Sequence, residues 1–420
     1  MMRFIATLLV GGMISGSISA ADVWIFSGQS NMKAIGGQAQ RAVGQLVKKH
    51  QREFRSVYVA QSGKPIEAWL DSSHRDYSKL WKALEQKVIQ AKTEKNRFKG
   101  FVWYQGESNA NENAGQYQKQ LTELVQRIRK LTDQPSLPAI IVQIGSATAY
   151  SGKDWAAATI REAQRRFARD DAHSAIVTAI DAEIKDLTVH LGKSGAEIVS
   201  SRIVAAADRL AYGNAKATWG PHFQRASFAN KSRRQIIVEF TEVQQKLKLS
   251  EGWLAGFGVS QKTTLPEPLS KLKDATAMGQ LTNDFLYPIG GRVLDEKRLI
   301  LFFDRALSSS SRLSYGAMRN AHYGPHRRWN LEISGLRDGS GHQAPAFVLV
   351  PIQSATKEVK VEGIKTGTAN EKWTQIAVNC VGRFPPAVTK PSEVAGLKSE
   401  NWRQAYWNPV SSGLTPNLFD

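Results

Sequence analysis

Val23-Trp24-Ile25-Phe26-Ser27-Gly28-Gln29-Ser30-Asn31-Met32 is the stretch from which the fold can be read. An apolar run of strand type, 23–26, gives way abruptly to Gly28-Gln29-Ser30-Asn31. That pattern predicts a buried strand delivering Ser30 onto a loop, with Gly28 relieving the backbone at the bend. A serine in that place stands at the carboxyl end of a strand, where open α/β sheets hold their ligands. The spacing is not Gly-x-Ser-x-Gly, so a strand-to-helix nucleophile elbow is not indicated. Two later stretches repeat the form: Val57-Tyr58-Val59-Ala60 before Gln61-Ser62-Gly63, and Phe101-Val102-Trp103-Tyr104 before Gln105-Gly106-Glu107-Ser108-Asn109.

Outward from these strands the first half alternates strand and helix. Strands are predicted at 23–26, 57–60, 100–104, 139–144 and 174–180, the last ending at Asp181. Helices are predicted at 40–50, 77–95, 116–131, 155–168 and 194–212, with apolar residues such as Tyr117, Leu121, Leu124, Ile128 and Leu131 at helical spacing. Apolar strands separated by helices imply an α/β fold, a five-stranded parallel sheet with helices on both faces. Right-handed crossovers then bring the strand-end loops to one edge. Near Tyr212-Gly213-Asn214 the character changes to short segments at 235–240, 254–259, 298–303, 312–318 and 346–350, separated by Gly and Pro clusters. These predict a smaller β-rich domain. Residues 358–361 read as one further strand, and the rest of the tail carries no placeable pattern. The expected divisions are 1–21, 22–213, 214–352 and 353–420.

The chain has 420 residues, 42% of them hydrophobic, which supplies a sizeable core and room for two or three domains. Residues 1–21 read as a secretory signal: Arg3 at the start, an apolar run over 4–14, and Ser19-Ala20-Ala21 before a cleavage point near Ala20 or Ala21. The expected destination is secreted or periplasmic. No later segment is apolar enough to span a bilayer. Cys380 is the single cysteine, so stability is expected from packing and not from an internal disulfide. The formal net charge of +19 favours anionic partners. A nucleic-acid partner is not expected, because an export signal is present and no nucleic-acid motif is found.

A neutral serine is a poor nucleophile and needs a base within hydrogen-bond reach. Of the eight histidines, His190 fits best, in Lys185-Asp186-Leu187-Thr188-Val189-His190-Leu191 between the fifth strand and the last helix. Asp181 and Asp186 both precede it, so a carboxylate is available to orient the ring. No His/Cys/Asp/Glu spacing suggests a metal site, no Gly-rich phosphate loop is present, and no cofactor is expected.

Gly28-Gln29-Ser30-Asn31-Met32 resembles the first block of the SGNH (GDSL-like) hydrolases, in the form found in sialate O-acetylesterase-like carbohydrate esterases. Ser62-Gly63-Lys64-Pro65-Ile66-Glu67-Ala68-Trp69 resembles that group's second block, although Ser62 and Lys64 replace the more usual Gly and Thr. Trp103 to Ala110 and Ile160-Arg161-Glu162-Ala163-Gln164 resemble two further blocks in the same order. The likeness runs over 22–212 and continues more weakly through 220–221, 312–320 and 343–347, where it is similar to the accessory β domain of those esterases.

The resemblance implies an SGNH/flavodoxin-like three-layer sandwich and a metal-independent serine esterase. On these positions Ser30 would be the nucleophile, His190 the general base and Asp186 its orienter. The Ser30 and Gly63 backbone N–H groups and the Gln105 side-chain amide would hold the oxyanion. Glu107, Asn109 and Asp181 would support the site. One departure stands out: the family places an aspartate two or three residues before the histidine, where this chain has Leu187 and Thr188. Asp186 or a backbone carbonyl could then orient His190, or the enzyme could be degenerate. The expected substrate is an acetylated carbohydrate, anionic in view of the net charge. The competing expectation is a catalytically weakened carbohydrate-binding protein on the same fold.

Overall fold

The computed structural model describes residues 20–355 and 359, apart from 95, 113, 146–153, 186–188, 250–255, 262–284, 287 and 318–334. The expected signal (except Ala20 and Ala21), the tail apart from 353–355 and 359, and Asp186 therefore lie outside the described residues. Five strands form a parallel sheet: β1 (Asp22–Gly28), β2 (Phe54–Ala60), β3 (Arg97–Tyr104), β4 (Ala139–Gln143) and β5 (Ser174–Thr178). Their order is β2-β1-β3-β4-β5. Every residue of β1 is buried, because it has a strand on either side and a helical layer on each face. That explains why it reads as a continuous apolar run and not as an alternation.

The helices are α1 (Ser30–Lys49), α2 (Glu67–Leu70), α3 (Ala83–Thr93), α4 (Asn109–Glu112), α5 (Tyr117–Leu131), α6 (Asp154–Asp170) and α7 (Lys193–Tyr212). α1 and α7 pack together on one face of the sheet, and α3, α5 and α6 cover the other. The three-layer α/β arrangement expected from the sequence is therefore present.

Two boundaries differ from expectation. The first helix starts at Ser30 itself, ten residues before the predicted position. Gly36-Gly37 disguised it, yet Met32, Ile35, Ala39 and Val43 form a buried stripe at helical spacing. A Cβ at Gly36 would meet the Tyr58 ring at 2.6 Å, so that glycine serves close packing and does not break the helix. The predicted helix 77–95 is instead a π-helical turn, Ser78–Lys82, leading into α3.

The later part of the chain forms a mixed, β-rich sheet. Its strands are β6 (His222–Phe228), β7 (Gln235–Thr241), β9 (Phe257–Ser260), β10 (Phe285–Leu286), β11 (Gly290–Val293), β12 (Arg298–Phe302), β13 (Arg312–Tyr315) and β15 (Phe347–Gln353). A small ladder pairs β8 (Lys248–Leu249) with β14 (Leu336–Arg337). β6 was not foreseen, because its outward residues Gln224 and Arg225 interrupt the apolar pattern. Of the stretch 358–361 only Val359 is described; its N–H donates to the Ala229 carbonyl, at 2.9 Å.

Buried polar groups join the two sheets. The Gln143 side chain treats Ala346 as a strand neighbour would. Its Nε2 donates to the Ala346 carbonyl (3.0 Å) and its Oε1 accepts from the Ala346 N–H (2.8 Å). Arg161 donates to the carbonyls of Ile144, Gly145 and Gly316. Asp181 receives a two-pronged ion pair from Arg202 of α7, at 2.6 and 2.9 Å, and a third contact from Arg337, at 3.2 Å. Removing one member of such a buried pair leaves the other charge uncompensated, which typically costs about 3–5 kcal/mol. Asp181→Ala is therefore expected to lower the unfolding free energy measured by urea titration by an amount in that range. A loss below about 1 kcal/mol would show that Arg202 finds another partner or water.

Candidate active site

The parallel sheet brings four loops to its carboxyl edge. They follow β1 at Ser30, β2 at Gly63, β3 at Gln105, and β5 along the approach to His190. Gly28 makes the first turn. Its φ is +149°, and a Cβ there would lie 2.1 Å from the Tyr104 carbonyl oxygen, which accepts the Gln29 N–H at 3.0 Å. Only glycine permits that approach. Ser30, partly exposed, is then the first residue of the twenty-residue α1. The first turn of α1 contains no acidic residue, and the N-cap residue Gln29 makes no capping bond with its side chain. The positive end of the helix is thus left for a negative charge arriving at Ser30.

The side chains on either side of Ser30 turn inward. Gln29 Oε1 accepts from Gln105 Nε2 (3.0 Å), the Gly106 N–H (3.4 Å) and the Ser108 N–H (3.2 Å), fastening the loop after β3. Asn31 fastens the loop that carries His190. Its Nδ2 donates to the Val189 carbonyl (3.1 Å) and to Glu107 Oε1 (2.6 Å), and its Oδ1 accepts from the Leu191 N–H (3.1 Å). His190 itself is partly exposed, on a short hairpin closed by the bridge Ile184–Leu191 and by the Lys185 N–H donating to the His190 carbonyl (2.9 Å).

Asn109 is the third hub. It accepts from the Ile66 N–H (2.9 Å) and from Gln105 Nε2 (2.7 Å), and it donates to Glu67 Oε2 (2.8 Å). It therefore holds the Gly63 loop against the β3 loop. Gly63 adopts the left-handed φ of +67°, with open space where a Cβ would stand, so a substrate can come close to its backbone.

Each expected site residue except Asp186 has a definite place. Gln105 is wholly buried, and its Nε2 donates to Gln29 Oε1, Asn109 Oδ1 and the Lys64 carbonyl. A flip of the amide would set oxygen against three acceptors, so this orientation is fixed. A substrate oxygen would have to displace one of them. Glu107 is buried beneath Asn31. Burial pushes its carboxyl above the ordinary value of 4.5, against the lowering effects of the Asn31 bond, a backbone N–H and the nearby His190. Asp181 faces Arg202 and Arg337, linking the end of β5 to α7 and to the β8–β14 ladder. Asp186 lies outside the described residues. Among the described residues no group of three or more His, Cys, Asp and Glu could hold a metal ion, and no helix is long and apolar enough to cross a membrane.

Sequence reasoning missed the roles of Gln29, Asn31, Arg161 and Gln164. The last two stand in a quoted motif, and Gln164 joins the Gln105 carbonyl (2.9 Å) to the Ile144 N–H (3.0 Å). The available signal was two amide residues flanking a serine where an apolar strand ends.

A three-layer α/β sheet with strand-end loops gathered around a serine at a helix start defines an SGNH-like hydrolase architecture. Residues 45–209 match the family model described as carbohydrate esterase, sialic acid-specific acetylesterase. The resemblance read from the motif blocks is thereby borne out, and the match supports a carboxylic ester hydrolase of the O-acetylesterase kind. It spans Gly63, Gln105, Glu107, Asn109 and His190 and begins after Ser30. A carbohydrate acetylesterase from Xanthomonas citri is similar in structure at 19% identity, covering 78% of this chain and 80% of its own, with a TM-score of 0.58. At that identity the likeness speaks for the fold. An Arabidopsis thaliana protein matches at 18% identity over 46% of this chain and 100% of its own, with a TM-score of 0.38. A lipase/acylhydrolase from Enterococcus faecalis matches at 12% identity over 45% and 97%, with a TM-score of 0.34. No curated protein matches the chain in sequence.

The raised Glu107 carboxyl carries a pH prediction. A group whose folded pKa lies above its unfolded value favours folding below the unfolded value, and that contribution is lost as pH rises through the folded one. Glu107→Gln keeps an acceptor for Asn31 and removes the titration. The melting temperature of the variant relative to the parent should therefore rise between pH 4 and pH 8. A difference that stays constant with pH would contradict a buried, raised carboxyl.

Proposed function

We propose that this protein removes O-acetyl groups from a carbohydrate through an acyl-enzyme on Ser30. The observation that carries the reading is Asn31: the residue next to the candidate nucleophile hydrogen-bonds the backbone on both sides of His190. Nucleophile and base are thus tied together by one amide.

In this reading His190 takes the proton of Ser30 Oγ as the oxygen attacks the acetyl carbonyl carbon. Negative charge develops on the carbonyl oxygen at the start of α1. The Ser30 and Gly63 backbone N–H groups are the proposed donors to it, helped by the uncapped helix end. His190 then returns the proton to the departing sugar hydroxyl. Water, deprotonated by His190 in turn, attacks the acetyl-Ser30 ester; the bond to Oγ breaks, His190 returns the proton to Ser30 Oγ, and acetate leaves. Gln105 holds the Gln29, Lys64 and Asn109 loops around this space. Asp186, four residues before His190 in the sequence, is the proposed orienter of His190.

The formal charge of +19 supports an anionic glycan as substrate, and the amino-terminal pattern of residues 1–21 supports export. Acetate release from neutral and acidic acetylated glycans tests the whole reading. Ser30→Ala should fold and release no acetate above background. Turnover of the acidic glycan should fall with added salt while that of a neutral acetyl ester holds steady. Near-normal turnover in folded Ser30→Ala would overturn the mechanism, and equal salt dependence would overturn the anionic substrate.

A further inference from the structure

Asn31 has three hydrogen bonds, and they fix its amide completely. Both Nδ2 hydrogens are engaged, one by Glu107 Oε1 at 2.6 Å and one by the Val189 carbonyl at 3.1 Å; Oδ1 accepts from the Leu191 N–H at 3.1 Å. A flipped amide would put oxygen against two acceptors and nitrogen against a donor. Glu107, itself buried, is therefore one of the three partners that set which way Asn31 faces, and the one side chain among them. Asn31 in turn grips the chain immediately before and after His190, across a sequence separation of about 160 residues. Among the described residues of the His190 segment, the Lys185 and Gly192 N–H groups donate to the His190 and Glu183 carbonyls at 2.9 Å each, and Leu191 is buried in the apolar core. Those bonds close the hairpin without tying it to Ser30.

We propose that Asn31, oriented by Glu107, is the positioning residue that sets His190 relative to Ser30. This deepens the esterase reading and rests on it for the identity of nucleophile and base. The pair does not touch the reacting atoms. It acts by fixing the backbone from which the imidazole is presented, where a displacement of about 1 Å can cost on the order of a hundredfold in rate.

The test compares the parent protein with Asn31→Ala, Glu107→Ala and Glu107→Gln. Three quantities are measured: melting temperature, kcat and KM on a small chromogenic acetyl ester, and amide hydrogen exchange at Leu191. The two alanine variants should lose about a hundredfold in kcat with KM within about threefold, because binding of a small ester does not use the imidazole. Leu191 N–H exchange should quicken by about tenfold or more in Asn31→Ala, where its acceptor is gone. Glu107→Gln, which can still accept from Asn31, should retain kcat within about tenfold of the parent. If Asn31→Ala does not fold, the Glu107 pair decides the matter through the difference between its Ala and Gln members. An unchanged Leu191 exchange rate, or a kcat within about threefold of the parent in a folded alanine variant, overturns the proposal. If the parent turns over no acetyl ester, the esterase reading fails on its own. The Leu191 exchange rate then decides by itself whether Asn31 holds the His190 segment: quickening sustains that hold, and no change refutes it.

Discussion

Two amide side chains point inward from either side of Ser30, and the candidate site depends on them. Gln29 gathers Gln105, Gly106 and Ser108 to its oxygen; Asn31 gathers Val189, Leu191 and Glu107. Both neighbours bond the loop after β3, and Asn31 alone also reaches the His190 segment. Loops are ordinarily the least constrained parts of an α/β protein. Here two of them are held to a single tripeptide by bonds that are mostly buried, and Asn109 and Gln105 hold the Gly63 loop to one of the two. Such bonds are also the hardest to satisfy in any other arrangement, because each lost partner would leave a polar atom in the interior.

This arrangement has a cost, carried by Glu107. A carboxyl pushed above its ordinary range by burial is unfavourable to keep charged, yet its oxygen is what sets the Asn31 amide. Stability given up at a site in return for geometry is a recurrent compromise in proteins. Gln143, Arg161 and Asp181 make directional contacts with Ala346, Gly316 and Arg337, so the β-rich part is bonded to the same sheet that carries the strand-end loops.

Much of the fold was legible in the sequence. The apolar runs at 23–26, 57–60 and 100–104 announced strands because a sheet covered on both faces leaves no polar alternation to confuse them. Ser30 and His190 were singled out because a serine nucleophile needs a base within reach, and the structure places them on segments joined through Asn31. The start of α1 was not legible, since Gly36 reads as a helix breaker until Tyr58 is known to lie against it. Nor was the use of Asp181, whose partners Arg202 and Arg337 stand 21 and 156 positions away and have no local pattern pointing to them. The same holds for Gln105. Its residue type suits an oxyanion donor, and only the placement of Gln29, Lys64 and Asn109 reveals that its hydrogens are engaged.

The central claim is that Ser30 is a nucleophile activated by His190. Reaction with a serine-reactive phosphonate followed by peptide mapping tests it most directly, because it needs no knowledge of the sugar. The account predicts one modified residue, Ser30, and labelling slower by about two orders of magnitude or more in His190→Ala. Modification at a different residue, or labelling of His190→Ala at the parent rate, would contradict it.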